Sequence, residues 1–473
     1  MTRQVRNLVI VVCVAVALGA GVLLLNVLPG NKKTGSSSSS SSSGSISLLS
    51  IKSSAFHSLH VTNAAGSYTV TLTGGTYTVD TLKDAPSNQS AIQSKVNDVL
   101  GLKATTLIQK DATDLAQYGL TTPAATLDVA TADGKTSTVK IGSQAPSGSG
   151  VYILKPGTND VYLSSTMMND NFSQSAMQYA STTVSALGTS ANISAYKFGG
   201  TARSTPFTVA VKTQSSAASS GSSATATYTY ALTQPYAYDG NDTNLGKITT
   251  ALQSLSATSV VSVDVSPQSL AQYGLQNPAY TLTYTVDGKD TTLSFGNADS
   301  SSNTVYMTIS DKKAVYQVDT SSAAAFYNYQ LSDVLSTALV TSDISTVKTL
   351  TIQSGSETHT FNLSGSSDKL AVTDANGKKI DATSFRNYYQ TILAITTRGG
   401  ADRPAGVSSS LTLTFTYNDG TAQRTVSFLP DGSDKSFVDI NGSGGLYVYN
   451  SQISNLLTLA QNLEAGKTVS ASS

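Results

Sequence analysis

From Leu8 to Leu28 the chain is apolar and uncharged, and from residue 46 onward apolar positions recur in short alternating runs. A helix needs roughly 20 apolar residues to cross a bilayer, so the first stretch predicts a spanning helix. Alternation such as Ser67 to Thr73 and Tyr228 to Thr233 predicts strands with one buried face. Helical spacing occurs three times, at Ile92, Val96 and Val99, at Ile248, Leu252 and Leu255, and at Phe385, Tyr389 and Ile392. Ser87, Asp242 or Thr243, and Asp381 stand where an N-cap would satisfy the first free amides. Strands precede each helix and a meander of about four strands follows it, which makes an α+β unit with antiparallel strands and one amphipathic helix.

The unit is repeated. DLAQYGLTTPAATLDVATADGKTSTVKIG from Asp114 aligns with QSLAQYGLQNPAYTLTYTVDGKDTTLSFG from Gln268. Val151-Tyr152 and Val161-Tyr162 follow the first, and Val305-Tyr306 and Val315-Tyr316 follow the second. Tyr118 and Tyr273 are 155 positions apart and Asp133 and Asp287 are 154 apart, so a single gap lies between these landmarks. A third copy from Leu411 keeps strand, Asp-Gly turn and strand, with Phe437-Val438 and Val448-Tyr449 for the paired dipeptides, but has lost the AQYGL element. It reads as a diverged repeat or a terminal cap.

The repeated signature is Tyr118, Gly119, Leu120 and Pro123 in the first copy and Tyr273, Gly274, Leu275 and Pro278 in the second. Glycine after tyrosine permits a positive φ or a close backbone approach, and proline fixes φ and removes a donor just ahead of the meander. Asp133-Gly134 and Asp287-Gly288 predict type I′ hairpin turns. The signature is expected to be structural, the competing reading being a binding surface built from the tyrosines.

Composition narrows the picture. Charged residues are only 12%, against a usual share of about 25%, so hydroxyl and amide side chains must solvate the surface. Lys plus Arg and Asp plus Glu both number 29, which leaves no net field to attract nucleic acid. Cys13, the single cysteine, lies inside the apolar run, so no intramolecular disulfide can form. Arg3 and Arg6 precede that run and Lys32 and Lys33 follow it, so charge does not orient it. Ala15 and Ala17 offer a small-x-small cleavage pattern, but the run continues past them, which favours an anchor. Val11 and Val12 before Cys13 do not suit a lipid-attachment site. Ser36 to Ser43 form an unbroken serine tether.

Candidate chemistry is sparse. His57, His60 and His359 are the only histidines, too few near one another in sequence for a zinc site. No GxSxG surrounds a serine, no phosphate-binding glycine loop is present, and most aspartates sit in turn contexts. No catalytic, cofactor-binding or metal-binding residue is assigned, and the expectation is a protein that is not an enzyme and has no cofactor.

The order LxxYGLxxP, strand, Asp-Gly-Lys, strand, Ile/Phe-Gly and spaced Val-Tyr pairs resembles the bacterial family catalogued as domain of unknown function 4340, in tandem copies. The resemblance spans roughly residues 46 to 335 and continues in degenerate form to about 465. It implies a membrane-anchored extracytoplasmic protein, some members being encoded beside ABC-type transport systems, and carries over no catalytic residue. Where the family has a tryptophan before the helix, this chain has Tyr77 and Tyr236.

The expected organisation is a cytoplasmic stretch at 1–7, a transmembrane anchor at 8–28, a Ser-rich linker at 29–45, and repeat modules at 46–190, 191–340 and 341–473, the last degenerate. The expected role is a single-pass membrane protein whose bulk lies outside the cytoplasm and which acts as an interaction or scaffold protein accessory to a membrane transporter. The alternative is a surface protein that binds cell-wall glycan.

Overall fold

The computed structural model describes residues 45–146, 148–215, 226–365 and 367–470. The expected anchor at 8–28 and nearly all of the serine linker lie outside them, and among the described residues no helix is long and apolar enough to cross a membrane. Three large antiparallel sheets follow one another along the chain.

In the first, the strand order is Thr76–Val79, Gly66–Thr73, Phe56–Asn63, Ala125–Thr131, Thr136–Gln144, Val151–Leu154, Val161–Ser164 and Thr106–Gln109. The chain leaves one edge for the helix Gln89–Leu100, returns at the opposite edge, and then fills the gap with the four-strand meander. Alternation decides which face is inside: Leu59 and Val61, and Leu127 and Val129, are buried while their neighbours are not.

The second sheet repeats this order around Ile193–Gly199, with a meander of Tyr280–Val286, Lys289–Asp299, Thr304–Ile309 and Val315–Asp319 and the edge strand Ser259–Ser262. The third repeats it around Val347–Ser354, with Leu411–Tyr417, Arg424–Asp431, Lys435–Ile440 and Ser443–Tyr449. Its edge strand has dwindled to a bridge between Arg398 and Tyr447 and a bond from the Ala401 amide to the Gly445 carbonyl.

All three amphipathic helices form, at Gln89–Leu100, Asp242–Leu252 and Ala382–Leu393. Their caps correct two sequence assignments. Asn88, not Ser87, accepts from the Ala91 amide, and Asn241, not Asp242 or Thr243, accepts from the Asn244 amide. Asp381 caps the third helix as expected. In the second helix the buried face is Leu245, Ile248 and Leu252, and Leu255 lies beyond its end in a short strand.

Each module also has a further helix after its meander that the sequence reading missed: Met167–Phe172, Thr320–Tyr327 and Leu456–Glu464. The first two are too short for periodicity to register. The third buries Leu456, Ala460 and Leu463 with the same spacing as the others and was legible.

The modules join through recurring contacts. Thr183–Ser185 pairs with Leu255–Ser256 just after the second helix, and Ala338 bridges Thr396 just after the third. A 3-10 turn at Ala176–Tyr179 lies against Ser259–Ser262, and the equivalent turn Leu331–Val334 lies against Ser443–Tyr449. Lys313 pairs with Asp84 at 2.6 Å, and Arg424 pairs with Asp239 at 2.9 Å.

Candidate interaction site

The AQYGL signature folds as a latch. Asp114 accepts from the Ala116 amide, Ala116–Tyr118 form a 3-10 turn, and Gly119 ends it with φ +66°. The Leu120 amide then bonds the Leu115 carbonyl at 3.0 Å and Leu120 is fully buried. The latch docks on the adjacent strand at Gly142, where a Cβ would overlap the Tyr118 carbonyl oxygen, while a Cβ on Gly119 would overlap Ser143. Both glycines are therefore required by one close backbone approach.

The second copy makes the same close approach, but from an α-helix, Pro267–Gln272, in place of the 3-10 turn. Gly274 has φ +71°, the Asn297 amide bonds the Tyr273 carbonyl at 2.8 Å, and a Cβ on Gly296 would overlap that same carbonyl oxygen. Pro278 accepts from the Thr201 amide at 3.0 Å, just ahead of its strand.

The tyrosines pack on one another. The Tyr118 ring meets Tyr152 edge-on at 5.0 Å and donates its hydroxyl to Gln109, and Tyr273 meets Tyr306 at 4.9 Å. Tyr162 and Tyr316 are buried, and burial pushes the Tyr316 hydroxyl up to about 12. The signature thus brings Tyr118 to Tyr152 and Tyr273 to Tyr306, all four half-buried, and this aromatic pairing holds the latch to the meander.

The histidines separate into two kinds. His57 and His60 sit on the strand Phe56–Asn63, His57 exposed and His60 bonded to Thr69 and Thr62. His359 is buried between Glu464 at 2.8 Å and Glu357 at 2.9 Å, the only two glutamates in the chain. Burial alone would lower its pKa, but the two carboxylate bonds outweigh it and leave the pKa raised. Among the described residues no group of three or more His, Cys, Asp or Glu side chains is arranged to hold a metal ion.

A cleft of about 520 Å³ lies where the second and third modules meet, lined by Arg203, Tyr236, Gln330, Arg403 and Gly445 among others. Arg203 is buried over Phe207 at 4.8 Å and bonds the Tyr329 carbonyl at 2.7 Å, and burial lowers its pKa. Arg403 pairs with the buried Asp439. Tyr236, which the resemblance places ahead of the second helix, sits at this junction with its hydroxyl against Gly445. No motif marks these residues, because each serves one junction and none recurs at the repeat spacing.

The model of the family described as Domain of unknown function (DUF4340) matches residues 78–215 and 231–414, more than half of the chain. The chain belongs to that family. The two DUF4340 matches begin 153 positions apart, close to the spacing of 154 to 155 between the repeated landmarks; each begins in a strand ahead of one module's helix, the first ending in the second strand of the next module and the second running past the third helix into Leu411–Tyr417. The DUF4340 unit therefore straddles the sheets and includes the connection that joins neighbours. No curated protein and no solved structure matches the chain.

Proposed function

We propose that this DUF4340 chain is a membrane-anchored extracytoplasmic scaffold, non-enzymatic, that serves as an accessory to an ABC-type transport system. The observation that supports it is the fate of the repeated signature: the residues preserved between copies go into the latch and its packing on the meander, so what is repeated is a shape. The apolar run Leu8 to Leu28 and the serine tether supply the anchoring and the spacing.

Protease added to intact cells is expected to remove the modules, and co-purification from detergent-solubilised membranes is expected to recover an integral membrane partner. Survival of the modules until the cells are opened reverses the topology and ends this reading. Retention on purified cell wall with no membrane partner recovered favours glycan binding instead.

A further inference from the structure

The junction between modules recurs, and its first position is open. In the second module the edge strand Ser259–Ser262 places Val260 opposite Tyr316. In the first, Thr106–Gln109 places Leu107 opposite Tyr162 in the same register. Leu107 and Val260 are therefore equivalent positions. Val260 is 7% exposed, with the turn Ala176–Tyr179 against its strand, whereas Leu107 is 43% and its neighbour Ile108 40% exposed.

Each covering turn comes from the chain just ahead of the module it covers: Tyr179 lies four positions before Thr183, and Val334 four before Ala338. Ahead of the first module the corresponding sequence is the serine run Ser36 to Ser43, which has no apolar side chain to offer. At the far end of the described residues the chain folds back on the last module. Val469 is buried on the helix Ala382–Leu393, its amide bonding Ser384 and its carbonyl accepting from Asn387, while Lys467, Thr468 and Ser470 face outward. A second copy thus presents a polar cap where an apolar turn is needed.

We infer that the edge Thr106–Gln109 is the docking surface for a partner protein, a different polypeptide presenting a short turn with apolar side chains of the kind that Ala176–Tyr179 and Leu331–Val334 present. Continuity with the two existing junctions identifies the chemistry of the occupant. Lys103 and Lys110 flank the edge, but Asp111 and Asp160 stand beside it, so no cationic face favours an anionic bilayer over a protein. The partner's location rests on the extracytoplasmic scaffold reading above.

The test uses the full chain in intact cells with a benzophenone amino acid at position 107, and at position 261 as a control that should crosslink within the chain to the Ala176–Tyr179 segment. The expected result is an adduct at 107 whose other half maps to a short apolar segment of a different polypeptide, together with about tenfold lower recovery of that polypeptide by the Leu107→Asp chain. The melting temperature of Leu107→Asp should stay within about 2 °C of the parent, which separates a lost surface from a lost fold. Adducts only to lipid, only to a second copy, or none while the control reacts overturn the inference. So does undiminished recovery by Leu107→Asp, which leaves the scaffold reading standing. If the unaltered chain recovers no partner either, both fall.

Discussion

Individual residues carry the clearest expectations, because some of the described glycines are wedged against backbone and others face open space. A Cβ at Gly296 overlaps the backbone oxygen of Tyr273, which cannot swing aside as a flexible side chain would. Gly296→Ala should therefore cost about 1–3 kcal/mol, read by urea unfolding. Gly246, inside the helix Asp242–Leu252, has open space around its Cβ direction. Gly246→Ala should gain about 0.5–1 kcal/mol through helix propensity in the same assay. Equal effects from the two changes would mean that the latch is not a tight approach.

His359 carries a pH dependence whose sign follows from its partners. Its folded pKa is raised above the ordinary 6.5, so its contribution is complete below 6.5 and is lost as pH rises through the folded value. Glu357, lowered from 4.5 first by its bond to Gln461 and then by His359, contributes above 4.5 and loses that contribution as pH falls through its folded value. The clamp joining Glu357–Ser364 to the helix Leu456–Glu464 is thus strongest between about 4.5 and 6.5. Melting temperatures between pH 6 and 8.5 should decline more steeply for the parent than for His359→Gln, and parallel profiles would remove the clamp from the account.

At the scale of elements, much of each module was legible because its strands and helices bury one face and expose the other. The one-residue gap between the two clear copies has a physical cause. In the second copy Val286 pairs with Lys289 across the two-residue turn Asp287-Gly288, both at positive φ, as the sequence led one to expect. In the first copy the Thr131 amide bonds the Lys135 carbonyl around Ala132-Asp133-Gly134, and only Gly134 has positive φ. The first copy thus uses a three-residue turn with glycine in the left-handed position, so its expected type I′ turn is corrected.

Caps were less legible, since Ser, Asn and Asp crowd each helix start and any of them can accept an amide bond. Asn88→Ala and Asn241→Ala should each cost about 1 kcal/mol by chemical denaturation, with Ser87→Ala smaller. The reverse ranking would return the cap to Ser87.

Across the whole molecule, what sequence patterning could not show is which side chains pair across the junctions, because those pairs obey no period. Asp84 with Lys313, Asp239 with Arg424, and Tyr236 with Gly445 are pairs of distant positions, and each member alone looks like an ordinary surface or turn residue. Of these the Tyr236–Gly445 contact is the most sensitive to volume. A side chain on Gly445 would collide with the Tyr236 hydroxyl, which is buried and lacks a hydrogen-bond partner, so the ring has little freedom to retreat.

In a stacked array, stability is the sum of each unit's own stability and its contacts with neighbours, and cooperativity depends on the second part. Gly445→Val should therefore weaken the bond between the second and third modules more than it weakens either sheet. Calorimetry should show the parent's main transition splitting, with the third module melting first. Adding Tyr236→Ala should make room for the new side chain and draw the transitions back together, an effect that simple damage to the third sheet would not produce. A single transition that shifts equally with and without Tyr236→Ala would place the coupling in the Arg424–Asp239 ion pair and the Leu331–Val334 turn instead.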